Sequence, residues 1–446
     1  MLGDLDLFLP EKTFRASCDN AVESLVTPAL LQALDRNEVA YPDDFIRQMG
    51  ERGLLGRNVP KENGGPGGTF LEDAMVSELT GYHGTATMAC ARTFTAHIGY
   101  VLSRYGSKTI QERFLQPMLA GTMIACQGMT EPGAGSDLSR IESRLVPDGL
   151  GWRLRGQKRF VDGAQTAGFM LAAARLGEST DPRRDFVAVV IDTRDPGFII
   201  REVQNDWHGF RGMGSAWVEF RDVHVDPENV VGVPGQAWTL FMEELIVERV
   251  VMARAQLGQA ERALRIATNY AQHRNTFDRP LFDHEAVSFR LAHAAAQLDA
   301  AYLLDNRAAR LLDQHSGDTI GRNHELEAAI AKYVGTEAAW QAADDAIQVI
   351  GGMGYTTKYP VERIQRDTRA ARITGGSSEM MQLIIARHLK KEWVDATFRE
   401  DLVGHEVDGS PVFNGWNPAP EGFHPTDKQR LWTIQAVESP RGSGND

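Results

Sequence analysis

The sequence predicts an α+β chain in three parts: helical, then β, then helical again. Three observations predict it. Residues 10–122 read as helices separated by Pro and Gly, residues 123–232 carry short apolar β-type runs, and residues 233–398 return to long alanine- and leucine-rich helical stretches. The expected divisions are an N-terminal helical domain at 1–122, a central β domain at 123–232, a C-terminal helical bundle at 233–398 and an irregular extension at 399–446.

In the first part, residues 43–49 read as a helix that follows Pro42 and ends near Gly53, and a second helix runs over 69–81. Pro60 and the run Gly64-Gly65-Pro66-Gly67-Gly68 mark a loop between them, because proline lacks an amide donor and glycine accepts turn geometries. In the second part, the runs at 186–191 and 198–200 are bounded by Asp, Pro and Gly, and Val218, Phe220, Val223 and Val225 suit another strand. Many short strands at close spacing predict a small barrel or sandwich rather than a βαβ fold. In the third part, Ala301, Leu304, Ala308 and Leu311 fall on one helical face, and the alanine-rich stretch 328–346 breaks at Gly351-Gly352. A helical bundle accounts for both. The tail, with Pro418, Pro420, Pro425 and Pro440, reads as an irregular or disordered surface extension.

A chain of 446 residues is too long for one core. Its formal net charge of −13 argues against nucleic acid or an anionic membrane surface as a partner. Cys18, Cys90 and Cys126 make no disulfide framework and fit a reducing compartment. None has metal-ligand spacing with a histidine, so no metal site is expected. Residues 1–6 lack the basic and apolar regions of a secretory signal, and no apolar run reaches the length of a membrane span. A cytoplasmic location is expected.

Several stretches carry chemistry. Gln127-Gly128-Met129-Thr130-Glu131-Pro132-Gly133-Ala134-Gly135-Ser136-Asp137 combines small residues with two hydroxyls, so its backbone can approach a planar ring and offer N–H groups to it. Further on come Lys158-Arg159-Phe160-Val161-Asp162-Gly163-Ala164, then Arg274-Asn275-Thr276-Phe277-Asp278-Arg279-Pro280-Leu281, then His284-Glu285-Ala286-Val287-Ser288-Phe289. Gln348-Val349-Ile350-Gly351-Gly352-Met353-Gly354-Tyr355 follows. Tyr359-Pro360-Val361-Glu362-Arg363, Arg366-Asp367 and Ile373-Thr374-Gly375-Gly376-Ser377-Ser378-Glu379-Met380 complete the set. In this order and spacing, over roughly residues 10–395, they resemble the acyl-CoA dehydrogenase family. No G-x-G-x-x-G follows a plausible strand near the N-terminus, so a Rossmann site is not expected.

The resemblance implies an N-terminal helical domain, a central β-barrel and a C-terminal four-helix bundle, with FAD as cofactor and a homotetramer (or homodimer) as assembly. It implies that Gln127, Met129, Thr130, Gly135 and Ser136 line the isoalloxazine and the thioester end of the substrate. Phe160 keeps the aromatic ring that covers the flavin, next to Val161. Asp162 replaces a threonine whose hydroxyl bonds flavin N5. An ionised carboxylate there would disfavour an anionic reduced flavin, whereas a protonated one could still donate. The alternative is a shifted loop with Asp162 facing solvent. Arg274 would fork onto the FAD pyrophosphate of a neighbouring subunit. Thr276, Phe277, His284, Glu285, Gln348, Val349, Gly351 and Gly352 would border the same cofactor, as would Ser377 and Glu379. Asp278 stands where glycine is usual, and Glu285 where glutamine is usual.

In most of the family the catalytic base is a glutamate at the position of Gly375, which has no side chain to abstract a proton. A minority, resembling the isovaleryl- and long-chain-type enzymes, carries the base on an earlier helix in a Glu-Arg pair. This chain has Glu248-Arg249. The resemblance therefore implies that Glu248 removes the α-proton of an acyl thioester while hydride leaves Cβ for flavin N5. The backbone N–H of Gly375 would polarise the thioester oxygen, with Arg249, Gly376 and Ser136 near the substrate. A plain acidic helical face with Glu243, Glu244 and Glu248 is the bland reading. Two positions before Glu248 the family commonly has an aspartate that holds coenzyme A; here it is Ile246. The substrate is expected to be an acyl-CoA or an acyl-carrier-protein, and an electron-transferring flavoprotein to be the acceptor. Two alternatives stay open: a flavin oxidase or monooxygenase on the same fold, or a catalytically silent FAD-binding partner subunit.

Overall fold

In the computed structural model, residues 6–177, 179–315 and 320–392 are described. The expected extension at 399–446 lies outside them. The chain divides into two units, residues 1–381 and 382–446.

Helices open the chain: α1 (Leu9–Leu25), α2 (Pro28–Asp35), α3 (Asp43–Glu51), α4 (Phe70–His83) and α5 (Ala86–Tyr105), followed by the short α6 (Lys108–Ile110), a π-helical segment (Gln111–Leu115) and α7 (Gln116–Leu119). Thr27, Thr69, Thr85 and Ser107 start α2, α4, α5 and α6, each side-chain oxygen accepting from the amide three residues on. The helices expected near 43–49 and 69–81 are α3 and α4, the latter continuing to His83.

Eight strands follow: β1 (Ala125–Gly128), β2 (Arg144–Asp148), β3 (Gly151–Val161), β4 (Phe169–Arg175), β5 (Phe186–Asp192), β6 (Phe198–Val203), β7 (Ala216–Val225) and β8 (Val230–Val231). They form one sheet in the order β6-β7-β3-β2-β4-β5-β8, with β1 beside β4. The sheet curls until β5 meets β7, enclosing a core that includes Leu154, Val161, Met170, Val189, Val218 and Phe220. The apolar phase of β7 slips between Phe220 and Val223. There Arg221 and Asp222 face the single residue Arg155 of β3, and Asp222 takes a positive φ of 57°. This bulge keeps all four apolar residues inward despite the odd spacing.

The third part is built on α8 (Ala237–His273), 37 residues long, which is roughly 55 Å of helix. A short hairpin, β9 (Asn275–Thr276) and β10 (Arg279–Pro280), leads to α9 (Glu285–Asp313), α10 (Arg322–Ile350), α11 (Val361–Ala371) and α12 (Ser378–Glu392). α8 packs against α4, α5, α9, α10 and α11, so it is buried through most of its length. Glycine permits its closest crossing: a Cβ on Gly258 would sit 2.1 Å from Glu78 O, and one on Gly81 2.1 Å from Ala255 O.

The buried face of α9 differs from the expected one. Leu298, Ala301, Tyr302, Asp305, Ala308, Ala309 and Leu312 are buried, while Leu304 and Leu311 lie at its edge. Polar residues hid it in the sequence. Asp305 and Asn306 face inward because Arg254 of α8 bonds both, at 3.4 Å and 2.5 Å, and also bonds Glu78 at 2.6 Å. Buried charges persist where partners satisfy them.

Candidate active site

Gly375 and Gly376 form the corner between α11 and α12, with φ of 63° and 91°. Both lie in the left-handed region, which costs an L-residue with a side chain about 1–2 kcal/mol. A Cβ on Gly375 would lie 3.3 Å from Glu248 Oε1 and 2.7 Å from Met252 Cε. The carboxylate of α8 therefore stands where a side chain at 375 would begin. Glu248 is half-buried, and among the described residues it makes no hydrogen bond or ion pair. The amide of Gly375 likewise has no acceptor among them.

Two cations hold this corner. Arg249 Nε donates to Gly375 O at 3.4 Å, and Lys332 Nζ donates to Gly376 O at 2.7 Å. Burial, then the charge of Arg249, pulls the Lys332 ammonium down to about 8. Ser377 starts α12 by accepting from Met380 N at 3.4 Å. Ser378 Oγ and Arg372 Nε both bond Glu337, at 2.5 Å and 2.8 Å. Glu379 is exposed in the first turn of α12.

The same face of α8 carries Glu244, Glu248 and Met252 at four-residue steps. Opposite it, α5 presents Cys90, Phe94 and His97. His97 Nδ1 lies 2.9 Å from Glu244 Oε1, to which the Gln127 amide also donates. Burial raises the Glu244 carboxyl against the opposing bond from His97. His97 is raised as well: burial opposes protonation, but the Glu244 bond and the charges of Glu244 and Glu248 outweigh it.

On the β side, Lys158 and Glu131 lock two of the motifs together. Lys158 Nζ bonds Met129 O at 3.1 Å and Glu131 Oε1 at 2.7 Å, both side chains being buried. Arg159 N donates to Thr130 O at 2.8 Å. A register shift in β3 between Lys158 and Val161 turns Phe160 outward at φ 56°, the residue 52% exposed and its ring edge-on to Trp207. Val161 is fully buried in the sheet core. Asp162 accepts from Ser215 and keeps some exposed surface, yet burial pushes its carboxyl from 3.8 up to about 6, and the charge of Glu248 adds to the rise.

Apart from Ser377 and Glu379 at the start of α12, the residues expected around FAD thus fall into two groups. One comprises Gln127, Met129, Thr130, Gly135, Ser136, Phe160, Val161 and Asp162, joined to Glu248 through Gln127–Glu244 and through the Asp162–Glu248 charge interaction. The other comprises Arg274, Thr276, Phe277, His284 and Glu285 with Gln348, Val349, Gly351 and Gly352, at the far end of α8 and the end of α10. Arg274 is 26 residues beyond Glu248, roughly 39 Å along the helix, so the two groups do not meet within one chain. In the second group Phe277 and Asp278 both take positive φ, 51° and 63°, and close the β9–β10 hairpin. His284 Nε2 braces it on Thr276 O at 3.1 Å. Glu285 sits in the first turn of α9, where a carboxylate suits the helix dipole. Val349 is buried, whereas Gln348, Gly351 and Gly352 are exposed.

These surroundings fit a large flat cofactor with phosphates. A Cβ on Gly133, Gly135, Gly351 or Gly352 would meet nothing within 4 Å, so those backbones are open to a ligand. Trp207 Nε1 is buried without a hydrogen-bond partner, and the exposed Arg274 guanidinium has none among the described residues. Sequence reasoning missed His97, Lys332, Trp207 and the pairing of Lys158 with Glu131. Only Lys332 left a signal, as a charge inside an alanine-rich helical face.

Among the described residues no helix is long and apolar enough to cross a membrane. Three family models match the chain: acyl-CoA dehydrogenase N-terminal domain over 10–122, middle domain over 126–223 and C-terminal domain over 235–390. The chain is 32% identical over 394 residues to the mouse (Mus musculus) mitochondrial short-chain specific acyl-CoA dehydrogenase, covering 86% of this chain and 92% of the relative. It is 32% identical over 357 residues to the probable acyl-CoA dehydrogenase YngJ of Bacillus subtilis, covering 79% and 90%. The solved butyryl-CoA dehydrogenase of Megasphaera elsdenii superposes with a TM-score of 0.80 at 26% identity, covering 86% of this chain and 98% of that one. The chain belongs to the acyl-CoA dehydrogenase family of FAD-dependent oxidoreductases.

Proposed function

We propose that this protein is an acyl-thioester dehydrogenase that desaturates its substrate between Cα and Cβ, with Glu248 as base. One observation carries the reading: the Glu248 carboxylate stands 3.3 Å from where a side chain on Gly375 would begin. A base must lie within hydrogen-bond reach of the proton it takes, and this carboxylate has no competing partner among the described residues.

Arg249 and Lys332 hold the carbonyls of Gly375 and Gly376, which leaves the Gly375 N–H free to donate to the thioester oxygen. That bond acidifies the α-proton by stabilising charge that develops on the oxygen. Glu248 then takes the proton onto its carboxylate. FAD, when bound, would supply the acceptor for the hydride that leaves Cβ. Thr130, Gly135, Ser136, Phe160 and Asp162 would hold the flavin end. Arg274, Thr276, Phe277, His284, Glu285, Gln348, Val349, Gly351 and Gly352 would come from a neighbouring copy, because the roughly 39 Å along α8 is too far for one chain. This favours a homotetramer or homodimer. Ile246 is buried among Leu71, Met75 and Val250, so it offers coenzyme A no carboxylate, and the acyl carrier is coenzyme A or a carrier protein. An electron-transferring flavoprotein is the proposed acceptor.

The Glu248 carboxylate beside Gly375 supports this reading over a silent partner subunit. The test is anaerobic mixing of the holoenzyme with acyl thioesters on coenzyme A and on a carrier protein. Bleaching of the flavin absorption is expected. No bleaching by any member, with FAD bound, refutes the reading.

A further inference from the structure

We infer that the groove over β2, β3 and β4, on the outer face of the sheet, binds a ligand carrying two or more phosphate groups, held by Arg140, Arg144, Arg155 and Arg175.

The groove has a volume of about 720 Å³ and is lined by all four arginines. Small-molecule sites commonly run from about 300 to 1,000 Å³. Strand register builds the row. Arg144 of β2 stands directly opposite Arg155 of β3 and directly beside Arg175 of β4. Residues so paired point to the same face with Cβ atoms about 4.5–5.5 Å apart, and like charges there destabilise a sheet. Three neighbouring strands thus carry three arginines in one line, about 10 Å from end to end at the usual strand spacing. Arg140, in the turn that leaves the 127–137 motif, lines the same groove.

Pairing within the chain does not account for this row. Asp and Glu outnumber Lys and Arg, 60 to 47, so carboxylates are plentiful. Arg155 bonds Asp222, and Arg175 Nε bonds Asp185 at 2.8 Å. Arg144, in the middle of the row, and Arg140 have no hydrogen bond or ion pair among the described residues. Glu131 is engaged by Lys158 at 2.7 Å, which leaves Glu142 as the one further carboxylate lining the groove. A cleft lined by one sign of charge focuses the field within it, and the guanidinium fork matches phosphate oxygens two at a time. Phosphates spread along the row would relieve its like-charge repulsion, whereas a single one would reach only part of it. The phosphates have two possible sources: a free nucleotide, or the nucleotide end of a coenzyme A substrate. The second source rests on the dehydrogenase reading above.

The test titrates the FAD-loaded protein with inorganic pyrophosphate, ADP and coenzyme A by calorimetry at low salt. Saturable binding that weakens as salt is raised is expected. Arg144→Gln and Arg140→Gln each weaken it at least tenfold. Arg194→Gln, at a surface arginine that bonds Asp192 at 2.6 Å, leaves it unchanged. Arg144→Gln also melts no lower than wild type, because the row loses a like charge. Anaerobic flavin reduction then separates the sources. A KM for acyl-CoA raised at least tenfold in Arg144→Gln, with the KM for the phosphate-free acyl-pantetheine unchanged, assigns the groove to the coenzyme A end. Both KM values unchanged, with pyrophosphate or ADP binding lost, assigns it to a free nucleotide. No saturable binding of any of the three probes, or binding that both groove variants retain in full, overturns the inference. Bleaching of the wild-type flavin by acyl thioesters would still uphold the dehydrogenase reading.

Discussion

Replacing Asp162 by Asn tests the electrostatics of the flavin face of the site. Burial raises the Asp162 carboxyl from 3.8 to about 6, with the charge of Glu248 adding to it. Between those values the folded state holds a proton that the unfolded state has released, so stability falls as pH rises through that window. The cost is absent below 3.8, accumulates through the window and is complete about a unit above 6. At 1.36 kcal/mol per unit, it reaches about 3 kcal/mol at pH 8 and about half of that at pH 5. Asn keeps an oxygen for the Ser215 hydroxyl and carries no charge. Asp162→Asn apoprotein is therefore expected to be more stable than wild type at pH 8, with roughly half the gain at pH 5. Denaturant midpoints of the apoprotein across that range are the assay. A gain that does not change with pH, or a loss at pH 8, refutes the assignment of Asp162 as a buried, high-pKa carboxyl.

Gly375→Ala is expected to cost about 1–2 kcal/mol for its left-handed φ, and to slow flavin reduction because the new methyl presses on Glu248 and Met252; thermal melting and stopped-flow reduction check both. Lys332→Met removes the 2.7 Å bond to Gly376 O. It is expected to slow reduction at least tenfold with FAD retained, and an unchanged rate would mean that the corner does not need its cation. Arg274→Ala is expected to weaken FAD binding about 10- to 100-fold, from the roughly 1.5–3 kcal/mol of a charged hydrogen bond, with the apoprotein's melting unchanged. Titration of apoprotein with FAD reads this.

The regular elements were readable where one interaction dominates. Thr69 caps α4 and Pro42 precedes α3, and local chemistry alone marks both starts. The strand at 216–225 was readable from its valines, but the bulge at Asp222 that reconciles their spacing depends on its partner strand. The inward face of α9 was misjudged because Asp305 and Asn306 are buried by an arginine 51 and 52 residues away. The proximity of Gly375 and Glu248 was legible because one residue lacks a carboxylate and the other carries one, and the structure sets them side by side. His97 was not, since a histidine inside α5 has no meaning until α8 sets Glu244 against it. The depth at which Asp162 sits was equally invisible, being set by Ser215 and the curl of the sheet.

The most direct measurement is anaerobic flavin reduction by a productive acyl thioester in Glu248→Gln. Glutamine fills the same space beside Gly375 and cannot take a proton. The expected result is a yellow protein with wild-type FAD content and substrate-dependent reduction slowed by at least a hundredfold, the lower end of what a positioned general base contributes. Reduction at the wild-type rate would contradict the assignment of Glu248 as the base.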